Sequence, residues 1–115
     1  MRKSLTRQER IRQKGEVDLV FRTGSTFRCR GLVMRCRPNG LAWSRVLVVS
    51  PRSTGTAVRR NRLRRIGKEI FRTIKPMIRG GNDFVFVVYA GDFSFLQRRE
   101  QFLRLLADAN ALTPR

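Results

Sequence analysis

Seven consecutive apolar residues, FVFVVYA at positions 84–90, place the tightest constraint on how this chain can fold. The run does not alternate, so it suits neither a strand with one wet face nor an amphipathic helix. It suits a strand at the centre of a sheet whose two faces are both covered. It is also far too short to cross a bilayer as a helix. With 115 residues the chain is long enough for one core and too short for two. The remaining segments must therefore supply the neighbouring strands and the helices that cover them.

They do so in a readable order. Thr6 followed by Glu9 has the spacing of a capping box on a short first turn. A helix is expected over 16–22, with Val17, Val20 and Phe21 on one side and Gly24 as its stop. A single strand is expected over 27–37, closed by PNG at 38–40, and a second over 43–50, the two pairing as a hairpin. A long arginine-rich helix follows PRSTG and ends before Pro76. RGGND makes a turn into the apolar strand, and a last helix starts near Ser94, where Ser94 and Gln97 repeat the capping-box spacing. Phe102, Leu103 and Leu106 can form its buried side. No repeat, low-complexity tract or linker interrupts this order. The expectation is one domain over 1–115, a compact α+β sandwich of order α-β-β-α-β-α.

Charge indicates the class of partner. Lys and Arg number 26 against 8 Asp and Glu, with no His, for a formal net charge of +18. The 41% apolar content, including eight Phe, is too high for a disordered basic tail. A folded, strongly cationic chain points to a nucleic-acid partner. The rival, an anionic membrane surface, finds no long apolar segment, and MRKSLTRQER has no apolar stretch behind its charges. The expected location is the cytoplasm, without membrane or DNA partners; the basic residues concentrate on one helix and no dimerisation element is evident. Cys29 and Cys36, seven residues apart in what reads as one strand, are expected on opposite faces as packing thiols.

At 100° per residue the arginine helix splits into two surfaces. Leu63, Ile66, Ile70 and Ile74 form an apolar stripe with Gly67 beside it. Asn61, Arg64, Arg65, Lys68, Arg72 and Lys75 cluster opposite, with Arg60 and Arg62 on the two flanks. A solvated face is the bland alternative, but three features oppose it. The face is almost purely cationic, with Arg65–Glu69 the main expected relief at i,i+4. Arg59 and Arg60 occupy the first turn, where the helix dipole disfavours positive charge. Arginine, whose planar fork grips phosphate oxygens, greatly outnumbers lysine. Local rules broken together imply a polyanion in place. Asn61 adds a neutral donor and acceptor for a base, a ribose or a hydrated metal ion.

No catalytic constellation is readable: no His, no Ser/His/Asp set, no metal-ligand cluster, no phosphate-cradling glycine loop. Asp83 and Asp92 flank a strand and suit turns rather than general-base chemistry.

The stretch TGTAVRRNRLRRIGKEIFR resembles the signature of the bacterial ribonuclease P protein component, A-V-x-R-N-R-x-K/R-R-x-x-R-E. Ala57, Val58, Arg60, Asn61, Arg62, Arg64, Arg65, Lys68 and Glu69 fill its positions. LTRQERIRQKGEVDLVFRTGS is similar to that family's N-terminal segment, and NDFVFVVYA to its late strand. The resemblance implies the order α-β-β-(β)-α-β-α, a small mixed sheet, and a left-handed β-α-β crossover where chirality alone would choose the right-handed one. It implies a subunit that binds a catalytic RNA and the 5′ leader of precursor tRNA, with cleavage performed by the RNA and Mg²⁺ held mainly by that RNA. It assigns RNA binding to Arg59, Arg60, Asn61, Arg62, Arg64, Arg65, Lys68 and Arg72. It assigns a leader cleft to Val17, Phe21, Phe27, Arg28, Arg30, Arg35 and Arg52. Val17 stands where the family often has Phe, Arg35 near a commonly aromatic position, and Arg52 alone where two cations are usual. Gly67 replaces a larger apolar residue, at about 1 kcal/mol of helix propensity. The alternative is a ribosomal-type structural RNA-binding protein with no part in cleavage.

Overall fold

The computed structural model describes residues 6–114. Leu5, which opens the N-terminal segment of the resemblance, lies outside them. In chain order the elements are α1 (Lys14–Thr23), β1 (Ser25–Cys29), β2 (Leu32–Pro38), β3 (Arg45–Val49), α2 (Ala57–Ile74), β4 (Asn82–Val88) and α3 (Phe95–Asp108). Short 3-10 turns lie at Arg7–Glu9, Arg52–Thr54 and Lys75–Met77.

The sheet order is β1-β2-β4-β3. β4 is central, antiparallel to β2 and parallel to β3, and buried from Asp83 to its end. The apolar run thus takes the place its composition demands, although Tyr89 and Ala90 fall beyond the strand and are exposed. β3 and β4 lie side by side with α2 between them in the chain, which is the β-α-β crossover.

Two expectations about the strands are corrected. Residues 27–37 are not one strand but most of a hairpin, broken at Arg30 and Gly31, with Phe27 opposite Met34 and Cys29 opposite Leu32. Gly31 supplies the left-handed backbone (φ 80°) that the two-residue turn requires. The expected pairing of this segment with 43–50 does not form either, because β4 inserts between β2 and β3. Direct pairing of β2 with β3 would leave the most apolar strand on an edge, with its hydrogen-bonding groups open.

The hairpin also corrects the cysteines. Cys29 and Cys36 share a sheet face, since Cys29 pairs with Leu32 and Cys36 with Ser25. They stand about 13 Å apart along the strands and both are free thiols. Burial pushes both thiols above their ordinary pKa.

The two faces carry separate cores. On the first, Leu32, Met34, Val46, Val48, Phe84 and Phe86 pack under Leu63, Ile70, Phe71 and Ile74 of α2 and Phe102, Leu105 and Leu106 of α3. The rings of Phe71, Phe84 and Phe86 are in mutual contact there, and Phe102 stacks on Phe86 at 4.3 Å. On the second, Val85 and Val87 lie under Ile11 and Val20, with Val17, Val33, Leu47 and Val49 around them. The capping box at Thr6 and Glu9 forms, and the chain after it runs beside β3, Ile11 donating to the Val46 carbonyl at 3.1 Å.

Polar ties fix the covers. Arg45 grips Asp83 through two hydrogen bonds of 2.8 and 2.7 Å and reaches Glu16 of α1 at 2.7 Å. Asp83 is only 4% exposed, and Asn39 donates to it as well. The carboxylates drive the Arg45 pKa further up. Asp83 therefore anchors α1 to the sheet, a larger part than the turn expected of it.

Candidate nucleic-acid interface

α2 starts where Gly55 (φ 127°) turns the chain and the Thr56 hydroxyl accepts from the Arg59 backbone N–H at 3.2 Å. Its buried side is Leu63, Gly67, Ile70, Phe71 and Ile74. Phe71 was not foreseen in this stripe, though it sits four residues after Gly67 and three before Ile74. At Gly67 the helix comes so near the sheet that a Cβ would stand 2.6 Å from Val48 Cγ1. The missing side chain permits that approach.

Turned away from this core, Asn61, Arg65 and Lys68 are exposed and Arg64 and Arg72 half-buried, with Arg62 exposed beside them. Arg64 donates to the Asn61 side-chain oxygen, which orients both groups. Glu69 pairs with Arg72 instead of the expected Arg65, and this bond holds its carboxyl below the ordinary range. Of the two exposed cations Arg65 and Lys68, Lys68 also borders a hollow beside Val46 and Val48 of β3. Lys75 leaves the ridge to bind Glu9 at 2.9 Å. Arg60 is half-buried, and its Nε has no partner among the described residues. Arg59 lies apart from the ridge, in a hollow with Leu63 and Asp92.

A cleft opens on the opposite sheet face, at the end of α1. It has a volume of about 420 Å³, with Val33, Val49 and Val87 as floor and Phe21, Arg28, Arg35 and Tyr89 as rim. Phe21 is 37% exposed. The Arg35 guanidinium lies over its ring, 5.2 Å from the centroid, and donates to its carbonyl at 2.9 Å. An apolar floor with an aromatic and cations at the rim is the arrangement that holds a nucleotide: ring on ring, guanidinium on phosphate.

The remaining residues assigned to this cleft separate. Phe27 is corrected: opposite Met34 in the hairpin, it points to the first face and packs against that core. Val17 is packed into the core beneath α1. Arg30, in the hairpin turn, borders a different hollow with Gly91 and Phe93. Arg52 is exposed one residue past Pro51, which does line the cleft. Tyr89 was missed; its signal was an aromatic closing the apolar run. Among the described residues, no group of three or more His, Cys, Asp and Glu is placed to hold a metal ion.

The sequence model of the Ribonuclease P family matches residues 5–110. The chain belongs to the ribonuclease P protein family. It is 40% identical over 87 residues to the ribonuclease P protein component of Thermotoga maritima, covering 76% of this chain and 74% of that protein. It is 39% identical over 80 residues to that of Borrelia duttonii, covering 69% and 70%. The solved RNase P protein from Thermotoga maritima superposes with a TM-score of 0.79 at 34% identity, covering 87% of this chain and 96% of that one. The Staphylococcus aureus RNase P protein shares the fold, with a TM-score of 0.81 at 22% identity over 91% and 98% of the two chains. Family membership makes this chain a protein component of a tRNA-processing ribonucleoprotein, and RNA its partner. Among the described residues no helix is long and apolar enough to cross a membrane.

Proposed function

We propose that the α2 ridge docks on the catalytic RNA of ribonuclease P while the Phe21 cleft holds the single-stranded 5′ leader of precursor tRNA. The observation that carries this reading is the opposition of the two surfaces across one sheet. α2 covers the first face and α1, with its cleft, the second. Two RNAs can therefore bind at once without competing.

The ridge supplies what a folded RNA needs: outward guanidinium and ammonium groups at helical spacing, fixed by a buried stripe behind them. The cleft supplies what an unpaired strand needs, a ring already tethered by Arg35. Scission itself falls to the RNA and its Mg²⁺ ions. Glu9, Glu16, Glu69 and Asp83 are all engaged with cations of the chain, so these carboxylates do not form a magnesium cage. The setting is the cytoplasm, where the precursor is made.

Reconstitution tests the reading. Added to a bacterial ribonuclease P RNA at low Mg²⁺, the protein should raise precursor-tRNA cleavage and yield the mature 5′ end. A ribosomal-type binder would leave the rate where the RNA alone sets it.

A further inference from the structure

Trp43 stands on neither of these surfaces. It lies in the segment joining β2 to β3 and is 40% exposed. A single exposed aromatic needs no explanation, but this one is held in place. Its indole Nε1 donates to the Gln8 carbonyl at 2.8 Å, and its own carbonyl accepts from Asn39 Nδ2 at 3.2 Å. The neighbouring Ser44 hydroxyl donates to the Arg79 carbonyl at 2.6 Å. Gly80 packs against the Ala42 carbonyl so closely that a Cβ there would stand 2.2 Å from its oxygen. The ring plane is fixed before anything binds.

Around it opens a groove of about 520 Å³ lined by Arg7, Arg10 and Arg12. Arg45 also borders this groove, but its guanidinium is bound to Asp83 and Glu16. Arg10 and Arg12 in turn border a smaller hollow at the β3 edge that they share with Lys68 of the α2 ridge. Cationic side chains therefore recur from the ridge, over the edge of β3, to the indole, beside a Glu16 carboxylate that Arg45 holds. Phosphates attract to such a track, and a rigid aromatic at its end takes an unpaired base by stacking.

We infer that Trp43 is a base-stacking platform for an unpaired nucleotide of the same RNA that lies on α2, so that this RNA wraps the β3 edge. The inference rests on the proposed docking of the catalytic RNA on that helix. Continuity with the ridge, rather than with the Phe21 cleft, selects this RNA over the leader.

Trp43 is the only tryptophan in the chain, so its fluorescence reports this site alone. Titration with a ribonuclease P RNA transcript should quench the emission saturably, at the midpoint seen by filter binding. A leader oligonucleotide should leave it unchanged. Trp43→Ala should weaken binding of the transcript about tenfold with its salt dependence unaltered, because no phosphate contact is lost, and Trp43→Phe should recover most of the loss. Emission unchanged at saturating transcript, quenching by the leader oligonucleotide, or full affinity in a folded Trp43→Ala protein would each overturn the inference. If alanines at Arg64, Arg65 and Lys68 leave transcript binding intact, the docking on α2 is what fails. If they abolish it while the emission of the parent protein stays constant at saturating transcript, only the platform fails.

Discussion

Arg35 and Phe21 are joined across two elements: the guanidinium of a β2 residue lies over the ring of an α1 residue and bonds to its carbonyl oxygen. The ring is thereby held at the cleft rim beneath a cation, with the residue 37% exposed. Phe21→Ala should lower affinity for precursor tRNA about tenfold, the range of one lost base stack, and leave mature tRNA binding unchanged. Arg35→Ala should act in the same direction, because it frees the ring and removes a phosphate partner. Equilibrium binding of both tRNA forms to the reconstituted particle checks this; equal losses on both would remove the leader from the cleft.

The ridge makes a different demand, since its contribution is electrostatic. Replacing Arg64, Arg65 and Lys68 with Ala should weaken RNA binding and flatten the log–log dependence on salt, each lost phosphate contact changing the slope by about 0.7–0.9. Glu69→Ala should not reproduce this, as it releases Arg72 to solvent rather than removing a cation. An unchanged slope in the triple variant would mean that these side chains meet only water.

The two-faced character of α2 and the central position of the apolar strand were both legible, because each rests on periodicity within one segment. The hairpin at Arg30 and Gly31 was not, since a two-residue turn without an Asn-Gly or Asp-Gly pair looks like continuous strand. That one misreading reversed the facing of Cys29 relative to Cys36, whereas Phe27 was given to the cleft by the resemblance and lies on the side of β1 opposite to Arg28. Which strands pair is a non-local matter, and the choice of β4 as the neighbour of β2 was visible only as a requirement for burial. Trp43 and Tyr89 escaped for a related reason: their surroundings are assembled from distant segments, residues 7–12 for the one and α1 with β2 for the other.

Arg98 gives a sharp test of fold stability. It is 2% exposed on α3, donates to the Gly31 carbonyl at 3.1 Å and the Tyr89 carbonyl at 2.6 Å, and stacks on Phe93 at 4.7 Å. Desolvation depresses its pKa, but an arginine stays charged. The side chain therefore ties the β1–β2 turn to the end of β4. Arg98→Leu should cost about 1–3 kcal/mol by taking the charged donor from the Tyr89 carbonyl and one of two donors from the Gly31 carbonyl, which keeps the Tyr89 N–H, with Arg98→Lys intermediate because one ammonium cannot span both sites as the fork does. Urea unfolding monitored by circular dichroism measures both.

Glu9 and Lys75 tie the first turn to the end of α2, and their bond should depend on pH. Burial pulls the Glu9 pKa up, but the Thr6 backbone N–H and Lys75 together pull it below the ordinary 4.5. A depressed carboxyl contributes stability above its unfolded-state pKa and loses it as pH falls through the folded value. Glu9→Gln should thus be less stable than the parent at pH 7, by at most about 1 kcal/mol. The gap should close on acidification below about 4.5. Parallel thermal melts across that window give the answer, and a gap that widens in acid would contradict the assignment.

Gly67 separates two opposing effects. On helix propensity alone, Gly67→Ala should stabilise by about 1 kcal/mol. The added Cβ would stand 2.6 Å from Val48 Cγ1, and Val48 is itself buried in the first core, so the contact has no soft side. Overpacking of that kind costs about 1–3 kcal/mol, so the balance falls on destabilisation and the melting temperature should drop by a few degrees, on the order of 4 °C per kcal/mol. Combining it with Val48→Ala provides the control, because the smaller partner removes the clash. The double variant should then be more stable than the sum of the single changes predicts, by about 1 kcal/mol or more of coupling. Simple additivity would place the origin of the glycine elsewhere than the approach of α2 to β3.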